Sequence, residues 1–292
     1  MSLRFRLPEL SLLSRPRFRP DPERDIFLVT HPRSGTTWIS CIAAELLFGK
    51  ATETLADINY LVPNIHDLPE KSMVPPSRQY VIKSHFPFNA IHGLPAFGAY
   101  RRVIYVIRDP RDVMLSYHRY LKYLMDYAGN LKEFAMDWCS GRIWPCSWQE
   151  HVNSWLAPRS RTVPFELTVF RYEDFIADPI KQTGRLAHLL GIDPKPERIV
   201  QIVADTSPES MREKERKGSG YWNPQFNFIG PAKAGNWQNL QTEPESEALF
   251  ILDNFAGETM QHWGYGALVP SLSIGPKSGN RFWEKSDAQT KC

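Results

Sequence analysis

The sequence predicts an α/β protein: a single domain on a central parallel β-sheet flanked by helices, carrying a P-loop-like anion-binding loop. Three observations lead there. Short, continuous, β-branched apolar runs recur along the chain, helical segments separate them, and polar clusters follow the runs instead of interrupting them. Strands of this kind are buried on both faces, as happens when helices cover both sides of a parallel sheet. Right-handed crossovers then bring the C-terminal strand ends to one edge, where ligands bind in such folds.

The chain opens with MSLRFRLPELSLLSRPRFRP, in which Arg4, Arg6, Arg15, Arg17 and Arg19 stand against Glu9 alone. Its apolar stretches are too short and interrupted for a secretory signal. Residues 1–24 therefore read as a basic arm, with an organellar transit peptide as the alternative. Strands are expected at 26–30 (IFLVT), 80–84 (YVIKS), 103–107 (VIYVI) and 167–170 (LTVF). Helices are expected at 36–48, 111–127, 147–157, 179–190, 196–204 and 244–262. These elements make one domain over 25–265, and the Ser-, Gly-, Pro- and Lys-rich residues 266–292 read as an irregular extension.

At 292 residues the chain can bury a sizeable core, and its net charge of +3 is mild. That charge suits an enzyme with a local anion site better than a nucleic-acid binder, which carries a dense basic face. No apolar run reaches the length of a membrane span. Cys41, Cys139, Cys146 and Cys292 lack CxxC spacing, which argues against a zinc or redox site and for a reducing, cytoplasmic compartment. Cys41 lies on an apolar helix face and is expected in the core. No metal-ligand cluster is evident.

HPRSGTTW, residues 31–38, follows the first strand and opens the first helix. A strand turning sharply into a helix presents backbone N–H groups and a partial positive charge. Gly35 permits close approach, Ser34, Thr36 and Thr37 supply hydroxyls, and Arg33 supplies charge, which together make a phosphate cradle. The plainer alternative is a Ser/Thr cap on an amphipathic helix. Trp38, just inside the helix, is placed to lie against a purine.

The segment VIYVIRDPRDVMLSYHRY repeats the design, with Arg108 at a strand end and Ser116 in the following helix, both able to reach one phosphate. Asp109, Arg111 and Asp112 read as capping and surface charges. In IKSHFPF, Lys83 and His85 stand two apart at a strand end, so their side chains leave one face. A base and a cation aimed at one point suit group transfer, although a strand-edge His beside a solvated Lys is the simpler alternative.

HPRSGTTW resembles the PxSGTTW signature of the cytosolic-type sulfotransferases, which use 3′-phosphoadenosine 5′-phosphosulfate (PAPS) as donor. The resemblance runs from about Asp25 to Tyr265 and suggests a divergent or bacterial-type member. It implies that residues 33–38 bind the phosphosulfate end, with Arg33 in place of the family's usual Lys. That exchange keeps the charge but removes a proton donor. It implies that Arg108 and Ser116 bind the 3′-phosphate. It also implies that His85 deprotonates the acceptor for in-line transfer while Lys83 and Arg33 stabilise the sulfuryl group and leaving phosphate, without a metal. The product would be adenosine 3′,5′-bisphosphate (PAP).

By the same resemblance Tyr172, in YED, and Thr206 and Met211, in DTSPESM, contact adenine, although Pro208 stands where the family commonly carries an aromatic. The family's RKGxxGDW signature is altered here. GPAKAGNWQNLQTEPE at 230–245 fits its distance to the closing helix better than RKGSGYW at 216–222 does. Phe228, Lys233 and Gly235 then become donor ligands, with Lys233 substituting for the missing cations and Arg216 and Lys217 as the competing source.

Tyr117, Tyr120, Tyr123, Tyr127, Phe134, Trp138, Trp144, Trp148 and Trp155 crowd the segment 117–155. Tyr120, Trp138, Trp144 and Trp148, with Phe86 and Phe88 beside His85, are assigned to an acceptor pocket; a helical core face is the alternative. Asp126, Glu133 and Asp137 point to a small planar or partly cationic acceptor, or are simply solvated. The remaining histidines, His118 and His151 among them, are assigned to surface or packing. Rival functions are a small-molecule kinase using ATP and a non-catalytic nucleotide binder. The oligomeric state is left open, and neither nucleic acid nor membrane is expected as a partner.

Overall fold

A computed structural model describes residues 21–49, 52–65, 79–88, 100–157, 165–218 and 226–266. Most of the basic arm and nearly all of the C-terminal extension lie outside the described residues.

Four strands, β1 (Ile26–Thr30), β2 (Val81–Ser84), β3 (Arg102–Ile107) and β4 (Glu166–Arg171), form a parallel sheet in the order β2-β1-β3-β4. All five residues of β1 are buried, as its continuous apolar sequence requires of a central strand. Val29 pairs with Ser84 on one side and Tyr105 on the other, and Ile107 pairs with Arg171. This register brings the residues after every strand to one edge. The chain leaves β1 for β2 and then returns across it to β3, so the crevice between β1 and β3 is the switch point of the sheet.

Helices α1 (Thr36–Phe48) and α2 (Leu55–Leu61) connect β1 to β2. Three more, α3 (Pro110–Leu124), α4 (Leu131–Cys139) and α5 (Trp148–Leu156), connect β3 to β4. Beyond β4 come α6 (Tyr172–Ala177), α7 (Pro179–Leu189), α8 (Pro196–Asp205), α9 (Pro208–Lys217), a 3₁₀ turn (Asn236–Asn239) and α10 (Glu243–His262). The expected strands and helices fall within a few residues of these bounds, whereas α2, α4, α6 and α9 are additional. For α4 a signal was present: Asn130 and Glu133 form a reciprocal capping box. In α9 the charged run PESMREKERK hides the apolar period, and only Ser207 and Pro208 mark its start.

Cys41 is buried on α1 as expected, and its thiol is held protonated by burial. One turn further, Glu45 is fully buried and meets Lys214 Nζ of α9 at 3.2 Å and Arg198 Nη2 of α8 at 3.3 Å. A buried charge stripped of its partner is costly. Glu45→Ala should therefore lower unfolding free energy by about 3 kcal/mol, measured by urea denaturation; an unchanged midpoint would show that this network contributes nothing.

Candidate active site

The loop after β1 makes its turn with two left-handed residues, Arg33 (φ 69°) and Gly35 (φ 95°). At Gly35 a Cβ would stand 2.5 Å from the Tyr172 ring, so this position needs glycine for space as well as for φ. Helices α3, α4, α5 and α9 begin with side chains from Asp109, Asn130, Ser147 and Ser207 at their first N–H groups. Helix α1 has no side-chain cap and no acidic residue in its first turn. Its positive end is therefore left for an anion. Among the described residues, Ser34 Oγ, Trp38 Nε1 and Arg108 Nε are buried around this turn without a hydrogen-bond partner. The Trp38 and Arg108 donors fit a phosphorylated ligand that would complete them.

Arg108, at the end of β3, donates through Nη1 to the Arg33 carbonyl at 2.9 Å and lies over the Tyr172 ring at 4.2 Å. The Arg33 guanidinium donates to Ser116 Oγ at 3.1 Å and to the Phe228 carbonyl at 2.8 Å. It also lies against the Phe228 and Tyr120 rings at 4.5 and 5.2 Å. Arg33 thus joins the two anion motifs, meeting Arg108 through its carbonyl and Ser116 through its guanidinium. Burial draws the Arg33 pKa down to about 10, leaving it charged at neutral pH.

The charges after Arg108 are internal, contrary to their assignment as capping and surface groups. Asp109 does cap α3, but Arg111 and Asp112 are only 7% and 2% exposed. Arg111 covers the Trp237 ring at 3.8 Å and reaches the Tyr265 carbonyl. Asp112 accepts from the backbone N–H groups of Gly235 (2.8 Å) and Trp237 (3.1 Å).

His85 follows β2. Its Nδ1 lies 2.9 Å from the Thr30 carbonyl, which can only accept. The proton therefore belongs on Nδ1 and the lone pair on Nε2. Burial lowers the His85 pKa to about 4, with further lowering by the Lys83 and Arg33 charges, so the ring is neutral at pH 7. Behind it, His151 bridges the His85 carbonyl (3.1 Å) and the Tyr105 hydroxyl (2.8 Å), and His31 packs edge-on against His151. Lys83 Nζ donates to Asn59 Oδ1 on α2 at 2.6 Å, and burial brings its pKa down to about 8.

These groups line one cavity of about 790 Å³. Arg33, Gly35, Thr36, Thr37, Trp38, Lys83, His85, Arg108, Ser116, Tyr172, Thr206, Met211 and Phe228 border it, as do Tyr120 and Trp144. Other assigned residues lie elsewhere. Ser34 sits beneath the loop, buried but off the cavity wall. Lys233 is exposed and Gly235 serves as the left-handed start of the 3₁₀ turn, so neither borders the cavity. The competing cations Arg216 and Lys217 end α9 and do not border it either. Most of RKGSGYW lies outside the described residues.

Trp138 and Trp148 are core residues, 0% and 2% exposed: α4 turns Trp138 onto Phe134 and His31, and α5 turns Trp148 onto Tyr265. Phe86 and Phe88 pack against Trp144 and Trp155, outside the cavity wall. Asp137 pairs with Arg142 and accepts from Tyr127, Glu133 belongs to the α4 capping box, and Asp126 is exposed, so none of the three faces the cavity. Sequence reasoning missed Asn59, Asp112 as a backbone acceptor, and Glu215 of α9. Each acts across elements distant in sequence, and nothing local marks it.

The sulfotransferase domain family model matches residues 23–264, and this chain belongs to that family. Among its relatives, sulfotransferase 1E1 of Cavia porcellus is 30% identical over 83% of this chain and 86% of its own. The 3-alpha-hydroxysteroid sulfotransferase of the same animal is 29% identical, over 82% and 86%. Flavonol 3-sulfotransferase of Flaveria bidentis is 25% identical, over 85% and 86%. The fold is shared with a mouse sulfotransferase complexed with PAP, at TM-score 0.62 and 20% identity, covering 84% of this chain and 87% of that one. It is shared too with retinol dehydratase in complex with androsterone and PAP, at TM-score 0.58 and 20% identity, over 81% and 82%.

Gly35→Ala combines a strained φ with contact against Tyr172, and should cost about 2 kcal/mol of folding stability, read from denaturant unfolding. A neutral substitution would mean that the Tyr172 ring is not packed on this turn.

Proposed function

We propose that this sulfotransferase acts on the hydroxyl of an uncharged, largely apolar small molecule, with His85 as base and Lys83 as the charge that balances the transfer. When bound, PAPS supplies the sulfuryl group and departs as PAP. Gly35, Thr36 and Thr37 with the open end of α1 suit its phosphosulfate, and Arg33, Arg108 and Ser116 its 3′-phosphate. Trp38, Tyr172, Thr206 and Met211 suit its adenine.

The observation that carries the catalytic assignment is the bond between His85 Nδ1 and the Thr30 carbonyl. It fixes the tautomer whose Nε2 accepts a proton, in a ring that is already neutral. Lys83, as an ammonium beside it, offsets charge on the transferring group. Arg33 cannot give up a proton near neutral pH and acts as a fixed charge. On the acceptor side, Leu55, Ile58, Leu121, Met125, Leu131 and Trp144 give the wall an apolar character. The bordering carboxylates, Asp112 and Glu245, are both occupied by backbone N–H groups. An apolar alcohol or phenol therefore suits the wall better than a cation, in keeping with the hydroxysteroids and flavonols named for the relatives. Family resemblance also supports a cytoplasmic location; among the described residues no helix is long and apolar enough to cross a membrane.

His85→Ala should abolish transfer, by about 10³-fold or more, while calorimetric affinity for PAP stays within about twofold. A variant that retains activity would remove His85 as the base. The free-enzyme kcat/KM for donor should fall as pH rises through about 8, where Lys83 loses its proton. In Lys83→Arg the charge persists and that alkaline fall should disappear; its survival would assign the limb to another group.

A further inference from the structure

The segment that crosses the donor end of the cavity reads Phe228-Ile229-Gly230-Pro231-Ala232, and Lys233, which follows it, is exposed. It is held instead by α9. Glu215, 6% exposed, accepts from two consecutive backbone N–H groups, Phe228 at 2.6 Å and Ile229 at 2.9 Å. Arg212 of the same helix donates to the next carbonyl, Gly230, at 3.1 Å. Three successive residues are therefore gripped by one helix face. Both oxygens of Glu215 are engaged, which sets the direction of the Phe228 backbone.

The far side of that backbone carries the consequence. The Phe228 carbonyl receives the Arg33 guanidinium at 2.8 Å, and the Phe228 ring lies against the same guanidinium at 4.5 Å. Arg33 in turn donates to Ser116 at 3.1 Å. A continuous chain of charge-assisted contacts thus runs from Glu215 through Phe228 to Arg33 and Ser116. The Glu215 charge also supports the protonated state of Arg33 against its burial.

We propose that Glu215 is a positioning residue for donor recognition: through the Phe228 backbone it sets Arg33 beside Ser116, where the second phosphate of the nucleotide is read. The inference rests on the donor assignment above. Glu215→Gln keeps the shape but replaces one acceptor by an NH₂ group, which confronts a backbone N–H. The strap is then held on one side only, and Arg33 loses its fixed carbonyl.

Calorimetry with PAP and with AMP, which lacks the second phosphate, tests this in four proteins: wild type, Glu215→Gln, Arg33→Met and the double variant. Glu215→Gln should weaken PAP binding about tenfold and AMP binding less than about twofold. In the Arg33→Met background the same substitution should change PAP binding less than about twofold, because its route has been removed. Equal losses for the two nucleotides, or an undiminished effect without Arg33, would overturn the inference and leave Glu215 a general support of the strap. Wild-type protein that binds AMP as well as PAP would defeat the donor assignment itself, a separate result. Thermal melting of the ligand-free proteins accompanies each titration. If Glu215→Gln does not fold, Glu215→Asp, which keeps the charge, should show the same selective loss for PAP; failure of both to fold would also overturn the proposal.

Discussion

The parallel register of β1 against both neighbours is the constraint on which the site depends. A central strand buried on both faces must pair its backbone on both edges, because an unpaired N–H or C=O there would be desolvated without return. Pairing Val29 with Ser84 and with Tyr105 brings Thr30, His85 and Arg108 to one edge of the sheet. The Thr30 carbonyl is then available to His85 Nδ1, and the Arg33 carbonyl to Arg108. The His85 imidazole and the Arg108 guanidinium are located by the same strand.

Charge at this site is distributed in an informative way. The cations Arg33, Arg108 and Lys83 border the cavity. The nearby carboxylates are spent on backbone N–H groups: Asp112 on Gly235 and Trp237, Glu215 on Phe228 and Ile229, Glu173 on Asp109. Carboxylates used as latches hold loops in place while neutralising the cations only partly. An anionic ligand entering here meets preorganised donors at the open end of α1 and at two guanidinium groups, with little reorganisation to offset. Burial of Lys83 and Arg33 strengthens their fields and lowers their pKa values together.

Imidazole burial has a complementary role. His31, His85 and His151 are all held neutral by desolvation, and only His85 borders the cavity. The other two occupy the layer behind it, joined to Tyr105, Trp138 and the Cys146 carbonyl. A layer of neutral, hydrogen-bonded rings supports the His85 imidazole without adding charge beside it.

What the sequence determined by itself is local. IFLVT followed by HPRSGTTW specifies a buried strand, a tight turn and a helix start, because each depends on adjacent residues alone; that no side chain caps the helix is seen only in the structure. The same local reading holds for Arg108 after VIYVI and for His85 after YVIKS, so the placing of these residues at the strand ends was legible in the sequence. Trp138 and Trp148 were not: an aromatic on a helix looks alike whether it faces core or cavity, and only the packing of α4 and α5 against α10 turned both inward. Lys233 was assigned by charge and distance along the chain, yet the latching of Gly235 and Trp237 by Asp112 leaves it in solvent. Asn59, Asp112 and Glu215 gain their meaning only from partners many residues away. Tertiary structure decided these because a side chain's partner across elements is set by how the elements pack, which no local pattern encodes.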